Sequence, residues 1–307
     1  MNILHDYKKE IFDLEKINEL SLKNTKKLID DSEELYIKQV MDIANEISLN
    51  GKYKVILLAG PSSSGKTTTS NLLREDLAEN GYESIVISLD DFFLNRDDTP
   101  RLPNGDYDYE NVTALDLPYL NKFMKDIFEK GEALMPTFNF IKGQRESDLK
   151  KIVLKSNTIL IVEGIHALNP ILFKDYNNHM YRVYICVNSN FDINDKIVIP
   201  AQKLRLMRRL IRDVRTRGTS LSETLNLWQN VLHGEDLYIK PYKNTADYLI
   251  NSTHAYEPLM YADSLLKMLK EEPTSPVIEE LITMLNYCET LSPKLLPKHS
   301  LLHEFLG

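Results

Sequence analysis

Apolar residues recur at three- and four-residue steps from Leu28 through Leu35, Ile37, Val40, Met41, Ile43 and Ala44 to Ile47. This predicts helix up to about residue 48, with Asn50-Gly51 as its stop. After Gly51 the pattern changes to short continuous apolar runs at Lys54 to Ala59, Ser84 to Leu89, Thr158 to Val162 and Arg182 to Val187. Runs of this length without strict alternation suit strands buried on both faces, as in a parallel sheet. Helical spacing fills the intervals at Lys66 to Glu79, Leu115 to Glu129, Gln202 to Arg215 and Leu221 to Leu232, the last preceded by the capping box Ser220-Leu-Ser-Glu223. Strands alternating with helices predict an α/β three-layer sandwich with a parallel sheet core.

A loop from Asn95 to Val112, with two Pro, one Gly and four Asp, is too long for a plain connection and is expected to be functional or mobile. Beyond Tyr256, two amphipathic helices flank Glu272-Pro-Thr-Ser-Pro276. The expected organisation is a helical N-terminal extension over residues 1–50, a central domain over 51–255, and a helical C-terminal appendage over 256–307. The appendage reads as a packing or oligomerisation element, which leaves a homo-oligomer open. Charges run throughout the first twenty residues and no 18-residue apolar run occurs, so a cytoplasmic protein without a membrane partner is expected. Cys186 and Cys288 have no metal-ligand spacing and are expected as separate thiols rather than a disulfide.

Composition alters this picture in one place. The 307-residue chain carries 37 basic and 45 acidic residues, a net charge of −8, which argues against a nucleic-acid coat. From Lys203 to Arg217, however, seven cations stand against one anion, Asp213, so this cassette holds +6 and the remainder −14. A local anionic ligand is implied. Arg205, Arg208, Arg209, Arg212 and Arg215 step by three or four, placing several on one side of a helix. Three readings apply: a solvated helix face, a nucleic-acid contact, or a lid near residues 203–219 that closes over phosphates. One cassette on an acidic chain is thin support for nucleic acid, and a nearly unmixed sign is unusual for a solvated face.

The lid reading is favoured by Gly60-Pro61-Ser62-Ser63-Ser64-Gly65-Lys66-Thr67, which fits G-x-x-x-x-G-K-[ST] between a predicted strand and a predicted helix. Its glycines allow consecutive N–H groups to point inward, and the helix N-terminus adds positive potential. Lys66 reaches β and γ phosphates, and the Thr67 hydroxyl suits Mg²⁺. No glycine has an Asp three residues before it, and Asn121-Lys122 is followed by Phe123-Met124, so the two further motifs of a GTPase are missing. ATP-dependent kinases and ATPases remain. The predicted strand Ser84 to Leu89 delivers Asp90 to the carboxyl edge of the sheet, where it can accept or orient a hydroxyl proton. Ile159 to Val162 delivers Glu163 there, suited to Mg²⁺ directly or through water, and His166, which is expected to order the turn.

Gly60 to Thr68, Ser88 to Phe93, Tyr107 to Glu110 with Ala114-Leu-Asp116, Pro136 to Arg145, Ile161 to Ile165, the Arg205 to Gly218 cassette and Lys240 to Asp247 together resemble the motif series of the uridine kinase and phosphoribulokinase family. Gly164 to Pro170, the Trp228 region and the ending Leu302 to Gly307 resemble a bacterial nucleoside kinase subgroup. Many members of that subgroup carry an N-terminal TGS-type domain, in place of which a helical leader is expected here. The resemblance implies a P-loop kinase that uses ATP and Mg²⁺ to phosphorylate a primary hydroxyl, with a nucleoside as the small-molecule substrate. It implies ATP binding by Gly60 to Thr68, catalytic roles for Asp90, Lys66, Arg209 and Arg212, and Mg²⁺ binding by Thr67 and Glu163. It also implies acceptor binding by Asp108, Phe138, Arg145 and Arg217. Phe138 and Gly143 stand where uridine-cytidine kinases have a Tyr and a His that read the pyrimidine, and Thr219 replaces an Arg. Losing such buried polar readers weakens selection for that base. A sugar phosphate or other small alcohol as acceptor, and an ATP-dependent regulatory or RNA-associated protein, remain the alternatives.

Overall fold

The computed structural model describes residues 10–173 and 179–307. A short strand, β1 (Ile11–Asp13), leads into helices α1 (Leu14–Lys23) and α2 (Thr25–Asn50), the second ended by Gly51 at φ 61°, a left-handed cap that glycine adopts without penalty. Then follow β2 (Val55–Ala59), α3 (Lys66–Glu79), β3 (Glu83–Ser88) and α4 (Leu117–Lys130). Four short strands come next, β4 (Glu132–Met135), β5 (Phe138–Asn139), β6 (Gln144–Arg145) and β7 (Lys150–Val153), before β8 (Thr158–Glu163) and β9 (Met180–Cys186). The chain continues through β10 (Asn190–Ile193), β11 (Lys196–Ile199), α5 (Ala201–Arg212), α6 (Leu221–Tyr238), β12 (Tyr248–Asn251), α7 (Glu257–Glu271), α8 (Pro276–Leu285) and the single turn α9 (His303–Leu306).

Five strands form a wholly parallel sheet in the order β12-β9-β2-β8-β3. Its faces explain the unbroken apolar runs. Along β2, Ile56 and Leu58 join a core with α1, α2, α3, α5 and α7, while Val55, Leu57 and Ala59 join a second core with α4. The four predicted runs are all strands of this sheet; β12, a four-residue edge strand, was not predicted. The β4–β7 and β5–β6 antiparallel pairs and the β1-β10-β11 sheet lie outside it.

Three further differences from the sequence reading have local causes. The leader breaks at Asn24, whose side chain caps the next helix by accepting from Lys27 N–H. The helix expected over 202–215 ends as α-helix at Arg212 and continues as a π-turn over Asp213–Arg217, which Gly218 closes at φ 65°. The terminal segments are not peripheral: residues of α1, α2, α7, α8 and the C-terminal stretch Leu301 to Leu306 belong to the same continuous core as the sheet. No disulfide joins Cys186 and Cys288, and no helix among the described residues is long and apolar enough to cross a membrane.

Candidate active site

β2 ends at Ala59 against the sheet centre, so the loop Gly60 to Gly65 rises from its carboxyl edge and runs into α3. Ser63 at φ 61° and Gly65 at φ 96° give the loop left-handed kinks of the kind that turn successive N–H groups toward one concavity. Gly60 is required by space: a Cβ there would stand 2.2 Å from the Ile185 carbonyl oxygen. Pro61 accepts from Ser64 N–H at 3.2 Å, and Ser62 lies half-buried beside it. The Lys66 ammonium folds back onto the carbonyls of Gly60 (3.0 Å) and Pro61 (3.2 Å). Burial pulls its pKa down, opposed by the charges of Glu163 and Asp90. Thr67 is exposed at the first turn, whereas Thr68 already has a partner, Glu304.

Ser88 and Glu163 are register partners at the ends of β3 and β8, and the Ser88 hydroxyl donates to Glu163 Oε1 at 2.6 Å. Burial, then the charge of Asp90, pushes the Glu163 carboxyl up to about 7. A buried carboxyl beside a second carboxylate is stabilised by a cation, so the Glu163 and Asp90 pair fits a divalent ion. Asp90 is half-buried on the turn after β3. Its neighbour Asp91 points away and accepts Phe138 N–H at 3.1 Å. Burial also lowers the His166 imidazole to about 4, keeping it neutral beside the backbone of Glu110 and Asn111.

Of the three readings of the arginine cassette, the solvated helix face does not hold, because Arg205, Arg208 and Arg212 are buried. Arg205 is buried against Glu235 and lies 5.0 Å from the Trp228 ring. Arg208 is fully buried: its guanidinium pairs with Glu257, donates to Ser252 O at 2.7 Å, and reaches the carbonyls of Ser63 and Ser64 at 3.4 Å. It therefore underpins the phosphate loop from below. Arg209, Arg212 and Arg217 instead gather around Asp213, at 3.3, 2.7 and 4.0 Å. Arg212 also approaches the Ser62 hydroxyl at 3.5 Å. Asp213 stood out in the sequence only as the cassette's single anion.

On the opposite wall, Asp108 is buried and accepts from Asn111 Nδ2 at 3.3 Å. Two residues later Glu110 is the carboxyl that faces the basic groups. Burial lifts its pKa to about 7, against the charges of Arg209 and Lys66, and its Oε2 is buried without a hydrogen-bond partner. Sequence reading missed Glu110 although it lies inside the Tyr107 to Glu110 motif. Phe138 stacks obliquely between Phe93 (6.0 Å) and Phe140 (5.2 Å), and Arg217 lies 5.8 Å from the Phe140 ring. Arg145 is committed to Asp116 at 3.1 Å and to Phe93 O at 3.3 Å. Asp116 in turn caps α4 through Tyr119 N–H, so Arg145 braces the wall. Gly143, at φ 66°, leaves room that the Arg96 guanidinium occupies, 2.7 Å from where a Cβ would stand.

The sequence model of the phosphoribulokinase / uridine kinase family matches residues 55–257. A uridine kinase of Staphylococcus aureus is 30% identical over 198 residues, covering 64% of this chain and 86% of its own. One of Staphylococcus haemolyticus is 28% identical over 199 residues, with coverage of 64% and 86%. Among solved structures, a chain provisionally described as a fructose transport system kinase from Silicibacter sp. TM1040 aligns with a TM-score of 0.51 at 16% identity, covering 68% of this chain and 98% of that one. At that identity the likeness speaks for the fold alone.

Proposed function

Because this chain belongs to the phosphoribulokinase / uridine kinase family, and so is a phosphotransferase acting on a hydroxyl group, we propose that it transfers the γ-phosphoryl group of ATP to the primary hydroxyl of a nucleoside. What supports this most is one convergence. The kinked loop with Lys66, the half-buried Asp90, the raised Glu163 carboxyl and the Asp213-centred arginines meet at the carboxyl edge of β2, β3 and β8.

In this reading the loop amides and Lys66 hold the β and γ phosphates, with Lys66 exchanging two carbonyl partners for phosphate oxygens. Asp90 orients the acceptor hydroxyl and takes its proton as the P–O bond forms. Thr67 and Glu163 would hold Mg²⁺, which supplies positive charge beside the transferring group. Arg209, Arg212 and Arg217 turn from Asp213 toward phosphate and stabilise the moving charge. Asp108, with Glu110 two residues on, supplies the carboxyls that accept from the ribose hydroxyls, and the Phe138 and Phe140 rings offer a stacking face. A second reading, an acceptor that bears its own anionic group, is favoured by the Arg96 guanidinium lying across Gly143.

The test is a coupled ADP-release screen with Mg·ATP across nucleosides, sugar phosphates and vitamins. Acceptor-stimulated turnover with a nucleoside is expected. Asp90→Asn is expected to leave ATP binding nearly intact and to lower turnover by about 10² to 10⁴. Stimulation by sugar phosphates alone would replace the first reading with the second. Full turnover in Asp90→Asn would remove Asp90 from the chemistry.

A further inference from the structure

The phosphate loop has a contact that the transfer reaction does not use. Leu301, Leu302 and Phe305 are fully buried and Leu306 nearly so, which fixes the C-terminal stretch against the loop and α5. Leu301 packs so closely on Gly65 that a Cβ there would stand 2.3 Å from Leu301 Cδ1. The Phe305 ring lies 4.9 Å from the Arg208 guanidinium, and Arg215 donates to the Leu306 carbonyl. Held in this way, the half-buried Glu304 places Oε2 on Thr68, accepting from its N–H at 3.1 Å and from its hydroxyl at 2.9 Å.

Thr68 is the third residue of α3, so its N–H is one of the donors that the helix itself cannot satisfy. At the end of a G-x-x-x-x-G-K-[ST] loop such donors belong to the set that cradles nucleotide phosphates. A carboxylate already sits on them, and it cannot share them with a phosphate oxygen without like-charge repulsion. Its charge is also felt across the site. Burial chiefly lowers the Lys66 pKa, and Glu304 stands with Glu163 and Asp90 among the charges that resist this.

We propose that Glu304 is a gate on the nucleotide site. Its carboxylate takes up donors of the phosphate cradle, and nucleotide enters by displacing it from Thr68. The inference rests on the reading of the loop as the ATP site. The buried anchors of the tail keep its backbone in place, so the side chain alone swings away. Affinity for phosphate-bearing nucleotide is then set by competition between two anions for one pair of donors, and adenosine, which has no phosphate, is indifferent to it.

Calorimetric titration of ATP and adenosine into the full chain and its Glu304→Gln variant tests this. Glutamine is isosteric and still accepts from Thr68 but carries no charge. The expected result is ATP bound about tenfold more tightly by the variant, with adenosine unchanged. Glu304→Ala serves if the Gln variant does not fold, with the same expectation. ATP affinity that is unchanged or weaker in a folded variant overturns the gate and makes Glu304 a fixed brace that nucleotide leaves in place. If neither the wild type nor a folded variant binds ATP, the ATP reading fails and the gate with it. Binding by the variant alone supports the gate.

Discussion

Glu257→Ala is expected to be among the most destabilising single changes in this protein. Its carboxylate accepts from Arg208 Nε and Nη2, from the Tyr261 hydroxyl at 2.9 Å and from His254 N–H at 3.3 Å, with both charged side chains fully buried. Truncation strands the Arg208 charge in the core, with the Ser252 carbonyl and hydroxyl and the distant carbonyls of Ser63 and Ser64 as its remaining acceptors. Removing one partner of a buried ion pair costs about 3–5 kcal/mol. For a chain of this size each kcal/mol lowers Tm by about 2 °C, so a drop of about 6–10 °C is expected in scanning calorimetry. Glu280→Ala is the control. Its pair with Lys203 is partly exposed, and its loss should move Tm by less than about 2 °C. Replacing both core partners, Arg208→Met with Glu257→Leu, removes the stranded charge and should return much of the loss. A Glu257→Ala shift as small as the Glu280→Ala shift would refute the argument that Arg208 is clamped in the core.

The Glu110 carboxyl, held up to about 7 by burial, keeps its proton in the folded chain over a range where the unfolded chain has lost it. It therefore favours folding at acidic pH, and that advantage is lost as pH rises from about 4.5 through about 7. Glu110→Gln should flatten the fall in stability over this window and raise Tm at pH 8; an unchanged slope in thermal scans would contradict it. Gly65→Ala meets both a φ of 96° and the Leu301 side chain, so it should lower stability by about 1–3 kcal/mol and weaken ATP binding. Leu301→Ala opens a cavity of its own, so the clash is read from non-additivity: by denaturant titration the double variant Gly65→Ala with Leu301→Ala should lose less than the sum of the two single losses.

The phosphate loop, the strands β2, β3, β8 and β9 and the carboxyl ends carrying Asp90 and Glu163 were legible because each rests on local pattern: a motif in its strand and helix context, or an apolar run. The arginines were legible only as a spacing. Steps of three and four put side chains on a shared helix face, but they do not tell whether that face meets water or the core. The partners that draw Arg205 and Arg208 inward, Glu235 and Glu257, lie 30 and 49 residues away. Glu110 and Glu304 were hidden for the same reason. A carboxylate in a loop or a tail gives no local sign of burial, and the contact of Glu304 with Thr68 spans 236 residues. β12 is four residues long at a sheet edge, too short to rise above its surroundings.

The clasp around Asp213 has a consequence for binding entropy. Long side chains such as arginine lose up to about 1.5–2 kcal/mol of rotamer freedom when they are fixed. Arg209 and Arg212 are already largely buried and held at 3.3 and 2.7 Å from one carboxylate. That ordering is met during folding. A phosphate that takes these guanidinium groups over from Asp213 is spared about 1–3 kcal/mol of immobilisation that two mobile arginines would have imposed on it.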